Sequence, residues 1–120
     1  MAAKILTSAT HGKDNPEHAT LPFIIANVAA AADQEAVVLL TGEAVWIATK
    51  GYADGIQRDG FPALKEVIQS LVTNGGQIWA CGTCAKPRGI TEKDLIAGGK
   101  IVTAANVVEY IAQGASTLSL

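Results

Sequence analysis

The sequence predicts an α/β protein of three layers, with a five-stranded, mainly parallel sheet flanked by helices. Three observations carry this. Short apolar runs alternate with helix-period segments along the whole chain, an order that calls for crossovers and a parallel sheet. One run, Ala36-Val37-Val38-Leu39-Leu40, is unbroken, as in a strand covered on both faces. The 120 residues are 49% hydrophobic but only 5% aromatic, a composition rich in Ala, Val, Ile and Leu that suits helices packed closely on a sheet. At this length one domain, residues 1–120, is expected to bury roughly two-thirds of its unfolded surface.

Each element has its own signal. Lys4-Ile5-Leu6-Thr7-Ser8-Ala9-Thr10 predicts the first strand, and the Gly, Asn and Pro of residues 11–18 a loop. Leu21, Ile24, Ile25, Val28 and Ala32 then form one apolar helical stripe, with Thr20 as N-cap and Pro22 in the first turn. After the second strand, ended by Thr41-Gly42, Glu43 to Lys50 predicts a short helix and Gly51 to Gly60 a loop. Phe61-Pro62 opens the most regular helix, with Leu64, Val67, Ile68, Leu71 and Val72 on one face and Asn74-Gly75-Gly76 as its stop. Ile78-Trp79-Ala80 is the third strand. A brief helix follows at residues 91–96, with Asp94 at the capping-box position of Thr91. Lys100 to Thr103, Asn106 to Gln113 and Ser116 to Leu120 complete the pattern as strand, helix and strand.

Five such strands suit a flavodoxin-like, doubly wound sheet, whose ligands bind beyond the carboxyl ends of the strands. With the order 2-1-3-4-5, the loop after the first strand and that after the third are neighbours, and His11 and Lys13 fall near Cys81.

The formal charge of -2, without a basic run, argues against nucleic acid and anionic membranes as partners. No apolar stretch reaches the ~18 residues of a membrane span. The N-terminus lacks a basic-then-apolar export signal, which points to the reducing cytoplasm. There, two cysteines are expected to serve redox, sulfur or metal chemistry rather than a staple.

Both cysteines lie in Cys81-Gly82-Thr83-Cys84-Ala85-Lys86-Pro87-Arg88-Gly89. Four readings stay open on the residues alone. A C-x-x-C dithiol is one, although Pro87 and Gly89 argue against a sustained helix through Cys84. A zinc site is another, but two cysteines supply half of four ligands, and His11 and His18 lack paired ligand spacing. The third is a single nucleophile, Cys81, at a strand end where Lys86 and Arg88 favour the thiolate and Gly82 lets a partner thiol approach. The fourth is a pair of inert buried thiols. No cofactor motif follows the first strand; G-x-G-x-x-G and P-loop patterns are absent from the sequence.

The spacing from Cys81 to Arg88-Gly89 resembles the C-x6-R-G pattern of the DsrE/TusD-like family of small sulfur-relay proteins, including YchN-like members. Asp14-Asn15-Pro16-Glu17-His18-Ala19 is similar to that family's acidic-Pro-Glu-x-Ala lead-in to its first helix, and Val38-Leu39-Leu40-Thr41-Gly42-Glu43-Ala44-Val45 to its second strand and turn. The resemblance covers nearly the whole chain. It implies a flavodoxin-like subunit that assembles into homo-oligomers, often trimers or hexamers, and holds sulfane sulfur as a persulfide on Cys81 between donor and acceptor proteins. Cys84 and Pro87 depart from the best-known carriers: the former is an extra thiol, and the latter replaces the first of two arginines. The candidate site is therefore Cys81, Cys84, Arg88, Lys86 and His11, without cofactor or metal. The rival is an oligomeric protein that binds a small ligand in the crevice. Trp46 and Tyr52 are expected at a subunit interface, and Trp79 in the core or crevice wall.

Overall fold

All five predicted strands form, and all pair in parallel, so each is reached from the last by a crossover. A computed structural model describes residues 2–120. Its elements are β1 (Lys4–Ala9), α1 (Pro16–Ala31), β2 (Glu35–Leu40), a 3-10 segment Gly42–Ala48, α2 (Leu64–Thr73) and β3 (Gln77–Cys81). There follow α3 (Gly82–Ala85), 3-10 turns at Lys86–Arg88 and Glu92–Asp94, β4 (Gly99–Val102), α4 (Ala104–Ala112) and β5 (Ser116–Ser119).

The strand order is β4-β3-β2-β1-β5, which corrects the order 2-1-3-4-5. Ala9 stands opposite Leu40, Leu40 opposite Ala80, and Cys81 opposite Val102. β2 therefore separates β1 from β3. Alternation along each strand divides the core between two faces. On one, Val38, Leu40, Ile78 and Ala80 pack with Phe23 and Ala26 of α1 and with Leu64, Ile68 and Leu71 of α2. On the other, Leu6, Val37, Trp79 and Val102 pack with Tyr110 of α4. The connections leaving β1, β2 and β3 thus run onto the first face, and the one leaving β4 runs onto the second. The strand order reverses between β1 and β5, and in open α/β sheets ligand crevices form outside the carboxyl ends of the strands.

The first helix differs from expectation in start and face. Asn15 caps α1 by accepting from the His18 N–H at 3.1 Å, so Thr20 lies inside it and donates to Pro16 O at 2.7 Å. Pro22 is accordingly an interior helix residue. The buried positions are Ala19, Thr20, Pro22, Phe23, Ala26 and Ala30, whereas Val28 on the predicted stripe is 66% exposed and Leu21, Ile24 and Ile25 are half-buried. Small residues let α1 sit close to the sheet; the branched stripe faces outward. In α2 the predicted face is the buried one. α4 starts at Ala104, two residues early, through a reciprocal cap in which Thr103 Oγ1 accepts from Asn106 N–H and Asn106 Oδ1 from Thr103 N–H.

Tyr110 anchors α4 edge-on to Trp79, with ring centroids 5.2 Å apart. Its hydroxyl is buried without a hydrogen-bond partner among the described residues. Burial, then the charge of Glu35, push this phenol up from 10.0 to about 12. The neutral form is favoured in the fold, so its contribution is complete below pH 10.0 and is lost as pH rises towards about 12. Tyr110→Phe is expected to cost little or to stabilise, because an unpaired buried hydroxyl disappears. It should also flatten the alkaline loss of stability in urea melts over that window.

Candidate functional site at the end of β3

β3 stops at Cys81 because Gly82 opens a helical turn against β4. A Cβ on Gly82 would lie 3.1 Å from Val102 O and 3.4 Å from Ile101 Cγ2, so only glycine passes there without displacing β4. Cys81 has the strand parity of Trp79 and stands beside Val102, both on the α4 face. Thr103, the next residue after Val102, caps α4. The cysteine therefore ends its strand at the carboxyl edge of the sheet, half-exposed and not bonded to Cys84.

The segment that follows is a single short helical turn and, as Pro87 and Gly89 suggest, not a sustained helix. Gly82–Ala85 is α-helical, and Lys86–Arg88 continues as a 3-10 turn. Pro87 sits near its end, and Gly89 takes the left-handed conformation at φ 73° that terminates it. Ile90 N–H then reaches Ala85 O at 3.1 Å and Gly89 N–H reaches Lys86 O at 3.0 Å, the paired closure of a Schellman motif. Buried Ala85 and Ile90 seat the turn on the core. Cys84 is the third residue of α3 and packs against the α1/α2 side. One helical turn thus separates Cys81 from Cys84, the sequence spacing of a C-x-x-C dithiol, with Cys81 on the α4 face and Cys84 on the α1/α2 side.

Arg88 is committed to holding this turn. Its Nη1 donates to Cys84 O at 3.0 Å, and its Nη2 to Glu43 Oε1 at 3.3 Å. Glu43, from the 3-10 segment after β2, is a site residue that sequence reasoning missed. Lys86 is exposed.

The loop after β1 is a separate cluster. His11 Nδ1 lies 2.8 Å from Asp14 Oδ2, and Asp14 Oδ1 accepts from Gly12 N–H at 2.8 Å. The His11 bond first, and the Gly12 bond next, hold the Asp14 carboxyl below its usual 3.8. Lys13 N–H donates to Tyr52 Oη at 2.9 Å, and Lys13 Nζ lies 4.6 Å from the Tyr52 ring centroid. Tyr52 in turn stacks on Trp46 at 6.4 Å, so the two aromatics expected at an interface meet each other within the chain. With β2 and Gly42–Ala48 in between, the strand order removes the ground for setting His11 and Lys13 beside Cys81. Trp79 is a core residue. Among the described residues no three His, Cys, Asp or Glu side chains converge as a metal site.

A fold of this topology with a cysteine at the end of β3 defines a class of small α/β proteins, and comparison with known sequences gives it a name. The model of the DsrE/DsrF-like family matches residues 3–120, and the chain belongs to that family. It is 30% identical over 104 residues to the uncharacterized protein MJ0760 of Methanocaldococcus jannaschii, covering 87% of this chain but 38% of that protein. It is 26% identical to MK0008 of Methanopyrus kandleri, also uncharacterized, with 89% of this chain and 83% of the relative covered. The chain thus spans well under half the length of the first of these relatives. Among solved structures, the ychN protein from E. coli matches with a TM-score of 0.79 at 20% identity, over 98% of this chain and 99% of that one. MTH1491 from Methanobacterium thermoautotrophicum, a protein of unknown function, matches with 0.68 at 14% identity over the whole of both chains. These likenesses show the fold.

The bonds made by Arg88 predict its variant's behaviour. Because the ion pair is partly exposed, Arg88→Gln should cost only about 1 kcal/mol or less in urea unfolding. Hydrogen exchange should nevertheless quicken at residues 84–90, where the side chain ties the turn to Glu43.

Proposed function

We propose that this chain is a sulfur carrier that holds sulfane sulfur as a persulfide on Cys81. The observation that carries the reading is the placement of a half-exposed thiol on the last residue of β3, at the carboxyl edge of the sheet. The family, in which sulfur relay is common, supports it. In the loading step the Cys81 thiolate attacks the outer sulfur of a donor persulfide. The donor S–S bond breaks, the donor leaves as a thiolate, and Cys81 carries the new S–SH group. An acceptor thiolate then takes that outer sulfur, restoring the Cys81 thiolate.

Lys86 and Arg88 contribute positive charge on the far side of the turn, with Arg88 chiefly positioning it. His11 is an outer member of the same sheet edge. Residues 1–120 act as one DsrE-like domain. The half-exposed branched stripe of α1 and the exposed Val108, Ile111 and Leu118 fit assembly with further copies, as trimers or hexamers, in the cytoplasm.

The helical turn favours a second reading, in which Cys84 resolves the persulfide. Its thiolate attacks Cys81 Sγ, hydrosulfide leaves, and a Cys81–Cys84 disulfide remains for a dithiol reductant to open.

Incubation with a low-molecular-weight persulfide, followed by intact-mass and peptide mapping, checks both readings. The wild type should gain one sulfur atom on the Cys81 peptide, and Cys81→Ser none. Cys84→Ser should load equally and release no hydrosulfide. A gain that survives in Cys81→Ser would contradict the carrier role. Unchanged hydrosulfide release from Cys84→Ser would contradict resolution.

A further inference from the structure

The connection from β3 to β4 uses only short turns on the α1/α2 face, and the space a full crossover helix would fill is left as an open cleft beside α2. Its cavity measures about 620 Å³, within the usual range for small-molecule sites. Ile47, Ile68, Val72 and Ile96 line it with apolar side chains. Ile47 and Ile68 are buried, and Val72 and Ile96 half-buried, so the floor is part of the core surface. Lys50 and Lys65 stand on its rim.

The charges at the rim do not cancel. Asp54, also on the rim, pairs with Lys65 at 3.3 Å, but both side chains are more than half exposed and that pair opens readily. Lys50 Nζ donates to a neutral acceptor, Lys93 O, at 3.2 Å. The Asp94 carboxylate lies outside the cleft lining and bonds to Thr91, accepting from its N–H at 2.8 Å and its Oγ1 at 3.1 Å, with Lys93 and Lys50 as weaker charge partners. Apolar floor and cationic rim together select for a molecule with one end of each kind.

We propose that this cleft binds a small amphipathic anion, a carboxylate carrying a medium-length alkyl chain, with its chain on the isoleucine floor and its head between Lys50 and Lys65. The site lies apart from Cys81 and does not depend on sulfur transfer.

Octanoate tests it, with acetate and octanamide as controls that lack the chain and the charge. Titration followed by amide NMR should give saturable shifts from octanoate at residues 47–54, 68–73 and 96–97. Acetate and octanamide should each bind at least about tenfold more weakly. Gln69→Trp places an indole in the mouth from the exposed side of α2 and should weaken octanoate by about tenfold or more at an unchanged melting temperature. If its melting temperature falls, Thr73→Trp on the same rim serves instead. Lys50→Gln with Lys65→Gln should reduce octanoate to the level of octanamide. Absence of saturable shifts, octanamide binding as tightly as octanoate, or full affinity in the filled variant would overturn the proposal.

Discussion

The short connection between β3 and β4 is the constraint on which the rest of this structure depends. A parallel pair needs a crossover, and in α/β proteins that crossover is usually a helix along the sheet. Here residues 82–98 cross with one short helix and two 3-10 turns. Such a path must satisfy its own backbone groups and find apolar anchors, because no long helix does so for it. The Schellman closure at Gly89 and the Thr91–Asp94 box meet the first need within the segment. Lys50 N–H to Asp94 O at 2.9 Å and Ile96 N–H to Ala48 O at 2.8 Å tie it to the segment after β2.

Magnitudes decide which contacts matter most. Ala85, Ile90 and Leu95 are buried along this path, and a fully buried Ile or Leu contributes about 1.5–3 kcal/mol. The partly exposed Arg88–Glu43 pair contributes about 1 kcal/mol or less. Apolar anchoring therefore holds the connection in place, and the arginine sets the local shape of the turn. The same economy has one chemical consequence: the uncovered strip beside α2 becomes the cleft.

Much of the architecture was legible in the sequence because its signals are local. The unbroken run at residues 36–40, the face of α2 and the Thr91–Asp94 box all appear as read. Strand order was not legible, since each helical crossover is compatible with several neighbours. The face of α1 was misread because the helix is apolar almost all round: a stripe of Leu21, Ile24, Ile25 and Val28 competes with Ala19, Phe23, Ala26 and Ala30, and the small residues win by close approach to the sheet. The single helical turn after Cys81 ends where Pro87 and Gly89 stand, too short to leave a periodic signal in the sequence. Cys81, Cys84, Lys86 and Arg88 fall on one turn because they lie within a single short stretch of sequence. Glu43 was not legible, because its link to Arg88 spans 45 positions and exists only through the fold.

Competitive alkylation of the two thiols tests most directly whether the fold presents Cys81 as the working one. The native protein, given less than one equivalent of iodoacetamide, should be modified mainly at Cys81, on the open strand end. Cys84, also half-buried but packed on the α1/α2 core, should react more slowly. Preferential labelling of Cys84 in the native state, or equal labelling of both, would contradict the account.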